Sequence, residues 1–212
     1  MCDFWSAIVT KDGRILTHYS DSHETIKKEM NINDKKPIEI MEFIPLQIVP
    51  KIKFGYEKEV NKDNWTITFE REKYDWFDEK LENKVWKQAK KDISERLIYH
   101  QEIEELTNKR GMIVKDSKIN KVSNCILNMM LGSSQVGQMR DSSQVGEMLG
   151  SSQVGEMWDS SQVGEMWGSS TIIKLIKSVF CVVRIWYGKV EKLEKGTVIR
   201  FKDNKAEIEH KD

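Results

Sequence analysis

The sequence predicts an α+β N-terminal domain followed by an all-β solenoid, a parallel β-helix built from nonapeptide repeats. Three observations support this fold class. The unit S-S-Q-V-G-[QE]-M-x-[DG] occurs four times without a break over residues 133–168. Gly and Ser-Ser punctuate every unit, which argues against a helix. The first hundred residues instead mix strand-like alternation with one long segment of helical periodicity.

The constant apolar residues of the repeat are a valine and a methionine three positions later. In a straight strand they would point to opposite faces, so both can face inward only if the chain bends between them. A glycine follows each valine, and we expect a left-handed or otherwise special backbone at this bend. The second serine of each unit lies two residues before the valine and is predicted to share its inward face.

Weaker copies of the repeat occur on both sides of residues 133–168, and their inward residues are similar in size to serine, valine and methionine. The copies that match well are Ser117/Ile119/Val122, Cys125/Leu127/Met130 and Ser170/Ile172/Leu175. Farther downstream, the same spacing is found at Val182/Ile185, Val190/Leu193 and Val198/Phe201. The solenoid is therefore predicted over residues 109–205, with diverged copies capping both ends.

The last letter of the repeat alternates between Asp and Gly, at Asp141, Gly150, Asp159 and Gly168. One nonapeptide forms too small a ring to enclose a core. The alternation indicates a period of two units, so we predict two nonapeptides per coil and a rise of about 4.8 Å per coil.

Residues 1–108 are predicted to form the α+β head domain. The segments Phe4–Thr10 and Arg14–Ser20 flank a Lys-Asp-Gly turn and indicate a β-hairpin. Ser22 is the predicted N-cap of a short helix. An apolar residue recurs every four positions from Phe77 to Leu97, which predicts a long helix over residues 76–106.

The head segments "MCDFWSAIVTKDGRIL", "SHETI" and "NWTITFEREKYDWFDEKLENKVW" resemble a group of uncharacterised proteins from phages, prophages and gut bacteria. Members begin with a similar Met-Cys-Asp/Asn-Phe segment and often end in short tandem repeats. The resemblance covers roughly residues 1–95. It implies a small phage-type accessory protein with a counter-defence role, and it transfers no catalytic residues.

Composition narrows the class of protein. Basic and acidic residues balance at 34 each, so charge does not predict direct nucleic-acid binding. No apolar run is long enough to span a membrane. Three widely spaced cysteines indicate reduced thiols and a cytoplasmic location, and the resemblance implies that the cytoplasm is that of a bacterial host. The four histidines lack metal-ligand spacing, and we expect neither a metal nor a cofactor.

The repeat offers the main candidate for a binding surface. Stacked coils would align Glu147, Glu156 and Glu165 in one or two acidic ladders beside Trp158 and Trp167. Regularly spaced acids can grip a basic partner, and exposed tryptophans are frequent interface anchors. The alternative is that the acids form a solvated face and the tryptophans cap the edge of a coil.

Three functions follow from these features. We favour a non-enzymatic interaction or inhibitor protein whose partner is another protein, with homo-oligomers left open. The second is sequestration of a small nucleotide-like signal molecule. The third is an N-terminal-nucleophile hydrolase or amidotransferase, in which removal of Met1 would leave Cys2 with its own α-amine as base.

Overall fold

The computed structural model describes residues 5–32, 41–52, 59–176, 181–183, 185–186, 189–193, 197–202 and 205–210, with backbone only beyond Ile176. Contacts between Cα atoms divide the chain into two compact units, Met1–Arg96 and Leu97–Asp212. The architecture is the predicted one, a small α+β unit followed by a β-solenoid.

An antiparallel four-stranded sheet forms the first unit, with strand order β2-β1-β3-β4. Its strands are β1 (Trp5–Thr10), β2 (Ile15–Thr17), β3 (Phe43–Pro50) and β4 (Trp65–Phe69). The predicted hairpin is β1 and β2, closed by a turn in which Gly13 has a φ of 82°. Every residue of β1 is buried, so this strand is the centre of the unit.

Two helices are described in the first unit, α1 (His23–Glu29) and α2 (Glu79–Arg96). Ser22 caps α1 as predicted, because its side chain accepts a hydrogen bond from the Thr25 amide. The Asp78 carboxylate accepts from the Leu81 amide at 2.8 Å at the start of α2. Val85, Ala89 and Ile93 form the buried face of α2, which agrees with the apolar stripe in the sequence.

Helix α2 is shorter than the predicted helix over residues 76–106. It ends at Arg96, and the next residues form strands β5 (Leu97–Tyr99) and β6 (Glu102–Thr107). The reason lies in the spacing of Ile103 and Leu106, which repeats the three-residue interval between valine and methionine in the nonapeptides. The solenoid therefore begins at Leu97, ahead of the boundary that we placed after residue 108.

Two parallel sheets form the solenoid. The first, which we call face 1, consists of β5, β7 (Arg110–Lys115), β9 (Ile126–Leu131), β11 (Gln144–Met148), β13 (Gln162–Met166) and β16 (Ile185–Trp186). Face 2 consists of β6, β8 (Lys118–Ser123), β10 (Gln135–Arg140), β12 (Gln153–Met157), β14 (Thr171–Leu175) and β17 (Lys189–Leu193). Because successive nonapeptides alternate between the faces, two nonapeptides make one coil, as predicted.

The predicted inward residues form the solenoid core. Val136 pairs in register with Val154 and Met139 with Met157, and all four side chains are buried. The weaker copies take the same places. In each pair the residue from the weaker copy comes second: Val136 and Ile119, Val145 and Leu127, Val154 and Ile172, and Met157 and Leu175. The second serine of every nonapeptide is also buried.

Residues with left-handed φ mark the corners between the two faces. They are His100, Asn108, Asp116, Asn124, Gly132, Asp141, Gly150, Asp159 and Gly168. The interval between them is eight residues up to Gly132 and nine thereafter, so the early coils consist of octapeptides. The alternating last letter of the repeat thus supplies Asp to one corner and Gly to the other, since Gly, Asn and Asp tolerate this conformation best.

The glycine after each valine has a different role from the one that we predicted. Gly137, Gly146, Gly155 and Gly164 are not among the left-handed residues. Each faces the backbone of the coil below it, and a Cβ at Gly164 would lie 2.5 Å from the Gly146 carbonyl oxygen. Close stacking of neighbouring coils, rather than an unusual φ, therefore selects glycine at this position.

The C-terminal copies of the repeat were only partly predicted. Val190 and Leu193 continue face 2, in register with Ile172 and Leu175. The pair Val198/Phe201 does not continue the repeat. In the described strands, β15 (Cys181–Val183), β18 (Thr197–Lys202) and β19 (Lys205–His210) form a separate antiparallel sheet. The pair Val182/Ile185 is divided, because Ile185 lies on β16 of face 1, in register with Glu165 and not with an inward residue, whereas Val182 lies on β15. Val198 and Phe201 have the three-residue spacing in a strand that pairs antiparallel, so spacing alone could not distinguish it from a strand of the solenoid.

No helix within the described residues has the length and apolar character needed to cross a membrane.

A candidate interaction surface on the solenoid

The structure divides the five predicted binding residues between the two faces. Glu156 and Trp158 are carried by β12 and its end on face 2, whereas Glu147, Glu165 and Trp167 belong to face 1. All five side chains are only partly buried, and they lie outside the serine, valine and methionine core. Stacking therefore creates two distinct surfaces rather than one continuous row of acids.

The ladder on face 2 that contains Glu156 is mixed in charge. In register order it consists of Glu105, Lys121, Gln138, Glu156, Lys174 and Lys192. The Lys121 Nζ atom lies 2.8 Å from Glu105 Oε1 and lowers the pKa of that carboxyl. Acid and base are neighbours at Glu105–Lys121 and at Glu156–Lys174, whereas Lys174 is in register with a second lysine, Lys192.

A network of polar side chains fixes Trp158 on face 2. The indole N–H of Trp158 donates to Glu156 Oε2 at 3.1 Å, and Gln138 Nε2 donates to the same oxygen at 3.1 Å. The Arg140 guanidinium donates to Gln138 Oε1 and lies 5.2 Å from the centroid of the Trp158 ring. The four side chains hold one another across two neighbouring coils.

Face 1 has a different ladder at the same repeat position. Glu147 is in register with Glu165, and the ladder continues to Met129 on one side and Ile185 on the other. The indole N–H of Trp167 donates to Glu165 Oε2 at 3.2 Å, which repeats the Glu156–Trp158 arrangement. At the variable position, Leu149 precedes Trp167 by one coil, where Arg140 precedes Trp158 on face 2.

The aspartates of the repeat line the corner that leads into face 1, and they bond to neighbouring coils. Asp159 Oδ2 accepts a hydrogen bond from the Asp141 amide at 3.2 Å. The Ser123 hydroxyl donates to Asp141 Oδ2. Asn124 Nδ2 donates to Asn108 Oδ1 at 2.6 Å at the same corner of earlier coils. These carboxylates therefore support the corner while remaining exposed.

Candidate catalytic groups of the first unit are placed as follows. Cys2 lies outside the described residues. His23 is buried, with Nδ1 2.5 Å from Glu70 Oε1 and Nε2 3.0 Å from the Leu46 carbonyl oxygen. His18 is partly buried, with Nδ1 2.7 Å from the Ser20 hydroxyl. Both imidazoles thus have protein partners. The described residues hold no group of three or more His, Cys, Asp or Glu side chains able to bind a metal.

An open pocket of about 510 Å³ lies in the first unit, between the β1–β2 turn and the start of β3. Lys11, Arg14, Asp12 and Glu42 contribute both signs of charge to its wall. The Thr10 hydroxyl, and then Arg14, lower the pKa of Asp12 by hydrogen bonding to its carboxylate. A small ligand bearing both donors and acceptors would fit this lining better than a simple anion.

No protein-family model matches the chain, and comparisons with curated proteins and with solved structures give no significant match. The function is therefore inferred from the residues of this chain and their geometry.

Proposed function

We propose that the protein acts by binding a macromolecular partner, a protein, through the outer surface of the coils formed by residues 133–168. The observation that carries this proposal is the position and fixed orientation of Trp158 and Trp167. Both rings are half-buried on the outer surface, and each is held by a hydrogen bond to the glutamate two residues before it.

The core does not need these two tryptophans. Arg140 and Leu149 occupy the same repeat position in the preceding coil, and the valines and methionines beneath are buried throughout. Large aromatic residues that are fixed in one orientation bind partners with little further loss of conformational entropy. Trp158 and Trp167 therefore have the properties of interface anchors.

Fidelity of the repeat also supports a binding surface. Packing accepts Leu127 and Ile172 in place of valine and Leu175 in place of methionine, so the core alone would tolerate divergence. The outward glutamine is nevertheless retained in all four copies, at Gln135, Gln144, Gln153 and Gln162. A repeated outer surface is what a binding scaffold requires, whereas a catalytic centre requires one fixed constellation.

The biological setting is proposed from the resemblance of residues 1–95 alone. Phage accessory proteins act on components of their bacterial host, so the expected partner is a host protein, and binding would inhibit it in a counter-defence role. The same reasoning favours a non-enzymatic mechanism, because inhibition by binding needs no catalytic group.

Affinity capture with the full chain tests the proposal. The tagged protein is incubated with bacterial lysate, a retained protein is identified, and its binding is reconstituted from purified components. We expect W158A/W167A to lose the partner and the matched variant S151A/S160A, altered at exposed corner residues just before the same two strands, to keep it. Equal binding by both variants would show that the tryptophans are not the anchors.

Two further outcomes would replace the proposal. A small nucleotide released from the purified protein, with no protein partner, would favour sequestration in the pocket of the first unit. An intact mass without Met1, together with a hydrolase activity lost in C2A, would favour the N-terminal-nucleophile enzyme.

A further inference from the structure

We infer that the solenoid binds a second copy of the same chain end to end, with strand β6 of one copy paired to strand β17 of the other. The inference goes beyond the proposed function and does not depend on it. It is carried by the position of the two strands at opposite edges of face 2, by their opposite charge, and by a pairing within the chain that has the same pattern.

Strands β6 and β17 are the first and last strands of face 2 in the described part of the chain. There, each has a strand partner on one side alone, β8 beside β6 and β14 beside β17. The other side of an edge strand carries backbone N–H and C=O groups that can pair with a further strand. Every pair in face 2 is parallel, so a second copy that continues the stack would place its β6 beside β17 in the same direction.

The charges of the two edge strands are opposite in sign. Strand β6 contains three exposed glutamates and no basic residue, at Glu102, Glu104 and Glu105. Strand β17 has the sequence Lys-Val-Glu-Lys-Leu, with lysines at Lys189 and Lys192. Two β6 strands brought together would place glutamates beside glutamates, which is unfavourable in a sheet. Pairing with β17 brings lysines to them instead.

The pairing of β6 with β8 shows which neighbour β6 accepts. Two glutamates lie in register with lysines and two inward residues with apolar ones: Glu102–Lys118, Glu105–Lys121, Ile103–Ile119 and Leu106–Val122. Strand β17 repeats the pattern of β8, because Lys-Val-Glu-Lys-Leu occupies the same repeat positions as Lys-Ile-Asn-Lys-Val. The β6 strand of a second copy would therefore meet in β17 the lysines and apolar residues that it meets in β8.

One position of this pairing is unfavourable. Within the chain, Asn120 Nδ2 donates to Glu104 Oε2 at 2.6 Å. Glu191 takes the place of this asparagine in β17, so it would lie beside Glu104 of the second copy. The two lysine–glutamate pairs on either side of it outnumber this like-charge pair.

The inward side of β6 is incompletely enclosed. Ile103 packs against the solenoid core but remains partly exposed, whereas its counterparts in the following coils are at most 1% exposed: Ile119, Val136, Val154 and Ile172. Each counterpart has an in-register neighbour on both sides, and Ile103 has one on a single side. A strand added beside β6 would cover Ile103, and this burial of apolar surface favours association.

The contact joins one edge of the solenoid to the opposite edge, so it is heterologous. Each added copy offers a new free edge, and the product is an open chain rather than a closed dimer. Successive copies would continue the stack at about 4.8 Å per coil. The surfaces that carry Trp158 and Trp167 would then recur along the chain of copies.

Analytical ultracentrifugation of the full-length protein at increasing concentration tests the inference. We expect the average mass to rise past that of a dimer. E102K/E105K and K189E/K192E should each weaken association by at least about tenfold, because both edges then carry the same charge. An equimolar mixture of the two variants should associate again, since lysines in β6 of one then meet glutamates in β17 of the other.

Control variants separate edge pairing from attraction by net charge. E72K/E95K changes exposed residues of the first unit by the same charge as E102K/E105K, and it should associate as the parent protein does. E191Q should strengthen association, because it removes the acid beside Glu104. Circular dichroism verifies that each variant is folded.

Two results would overturn the inference. One is a parent protein that stays monomeric at every concentration. The other is a mixture of E102K/E105K and K189E/K192E that associates no more than either variant alone. In both cases the charged residues of β6 and β17 would serve to protect the edges from pairing.

Discussion

A Cβ atom added to Gly155 would lie 2.4 Å from the carbonyl oxygen of Gly137, one coil away. The atom that it meets belongs to backbone, so no side-chain rotation can relieve the contact. The same relationship links Gly164 to Gly146 on the other face. The backbones of neighbouring coils are therefore in close contact at these two positions.

Replacement of this glycine should destabilise the solenoid. We expect G155A to lower the free energy of unfolding by about 1–3 kcal/mol, because the added methyl group overpacks a site that can relax only by separating two strands. The measurement is chemical denaturation followed by far-ultraviolet circular dichroism. Q153A, on the same strand and facing outward, is the control. Equal stability of G155A and the parent protein would refute the close stacking.

Corner residues should tolerate substitution according to their φ. Asp159 has a φ of 56°, and its carboxylate accepts the Asp141 amide. We expect D159N to be nearly neutral and D159A to lose about 1–2 kcal/mol, because alanine combines the strain of a left-handed backbone with a lost hydrogen bond. Thermal unfolding would measure the difference. D159A as stable as D159N would contradict this account of the corner.

Deletion of repeats should depend on whether a whole coil is removed. Deleting residues 151–168 joins Gly150 to Ser169 and keeps each later strand on its own face, so we expect cooperative unfolding to persist. Deleting residues 160–168 joins Asp159 to Ser169. Strand β14 then follows an Asp corner in place of a Gly corner and would lie on the wrong face. We expect this shorter deletion to be the more damaging one. Circular dichroism and limited proteolysis compare them, and equal protection of the two would contradict the two-unit coil.

Cys125 gives a prediction about pH. It occupies the place of the inward serine, and burial raises the pKa of its thiol. The folded state therefore resists ionisation that the unfolded state allows. We expect stability to be unaffected by this thiol below a pH of about 8.5 and to fall as pH rises above it. C125S should remove this thiol's contribution to that fall, and serine should fit, as Ser143 does one coil later.

Thiol labelling checks the same site independently. A buried, protonated thiol reacts slowly with thiol reagents, so Cys125 should react only after unfolding. Each cysteine's modification would be followed by peptide mass spectrometry at neutral pH in native and denaturing buffer. Rapid labelling of Cys125 in the native protein would place it at the surface.

Much of the solenoid could be predicted because few types of side chain fit its narrow core. Serine, valine and methionine recur at fixed intervals, and Leu127 or Ile172 replaces valine without changing the inward face. The Asp and Gly alternation also gave the correct coil. Both follow from local rules, since size and hydrophobicity determine which side chains can be enclosed.

The remainder depended on tertiary information. Residues 97–108 continue a segment of helix-forming residues. Only the corner residues His100, Asn108 and Asp116 reveal the octapeptide period. The role of Gly155 could not be predicted, because a close approach between coils leaves no mark in the φ preference of one residue. The division of Glu156 and Glu165 between two faces, by contrast, follows from two nonapeptides per coil, because neighbouring units then lie on different faces.

The change from octapeptides to nonapeptides has a practical consequence. The additional residue is the first serine of each unit, at Ser133, Ser142, Ser151, Ser160 and Ser169, and all five are exposed. The chain has thus already accepted an insertion at both corners in consecutive coils without loss of register. These serines are natural grafting points, where foreign loops could be displayed in rows on a scaffold of chosen length.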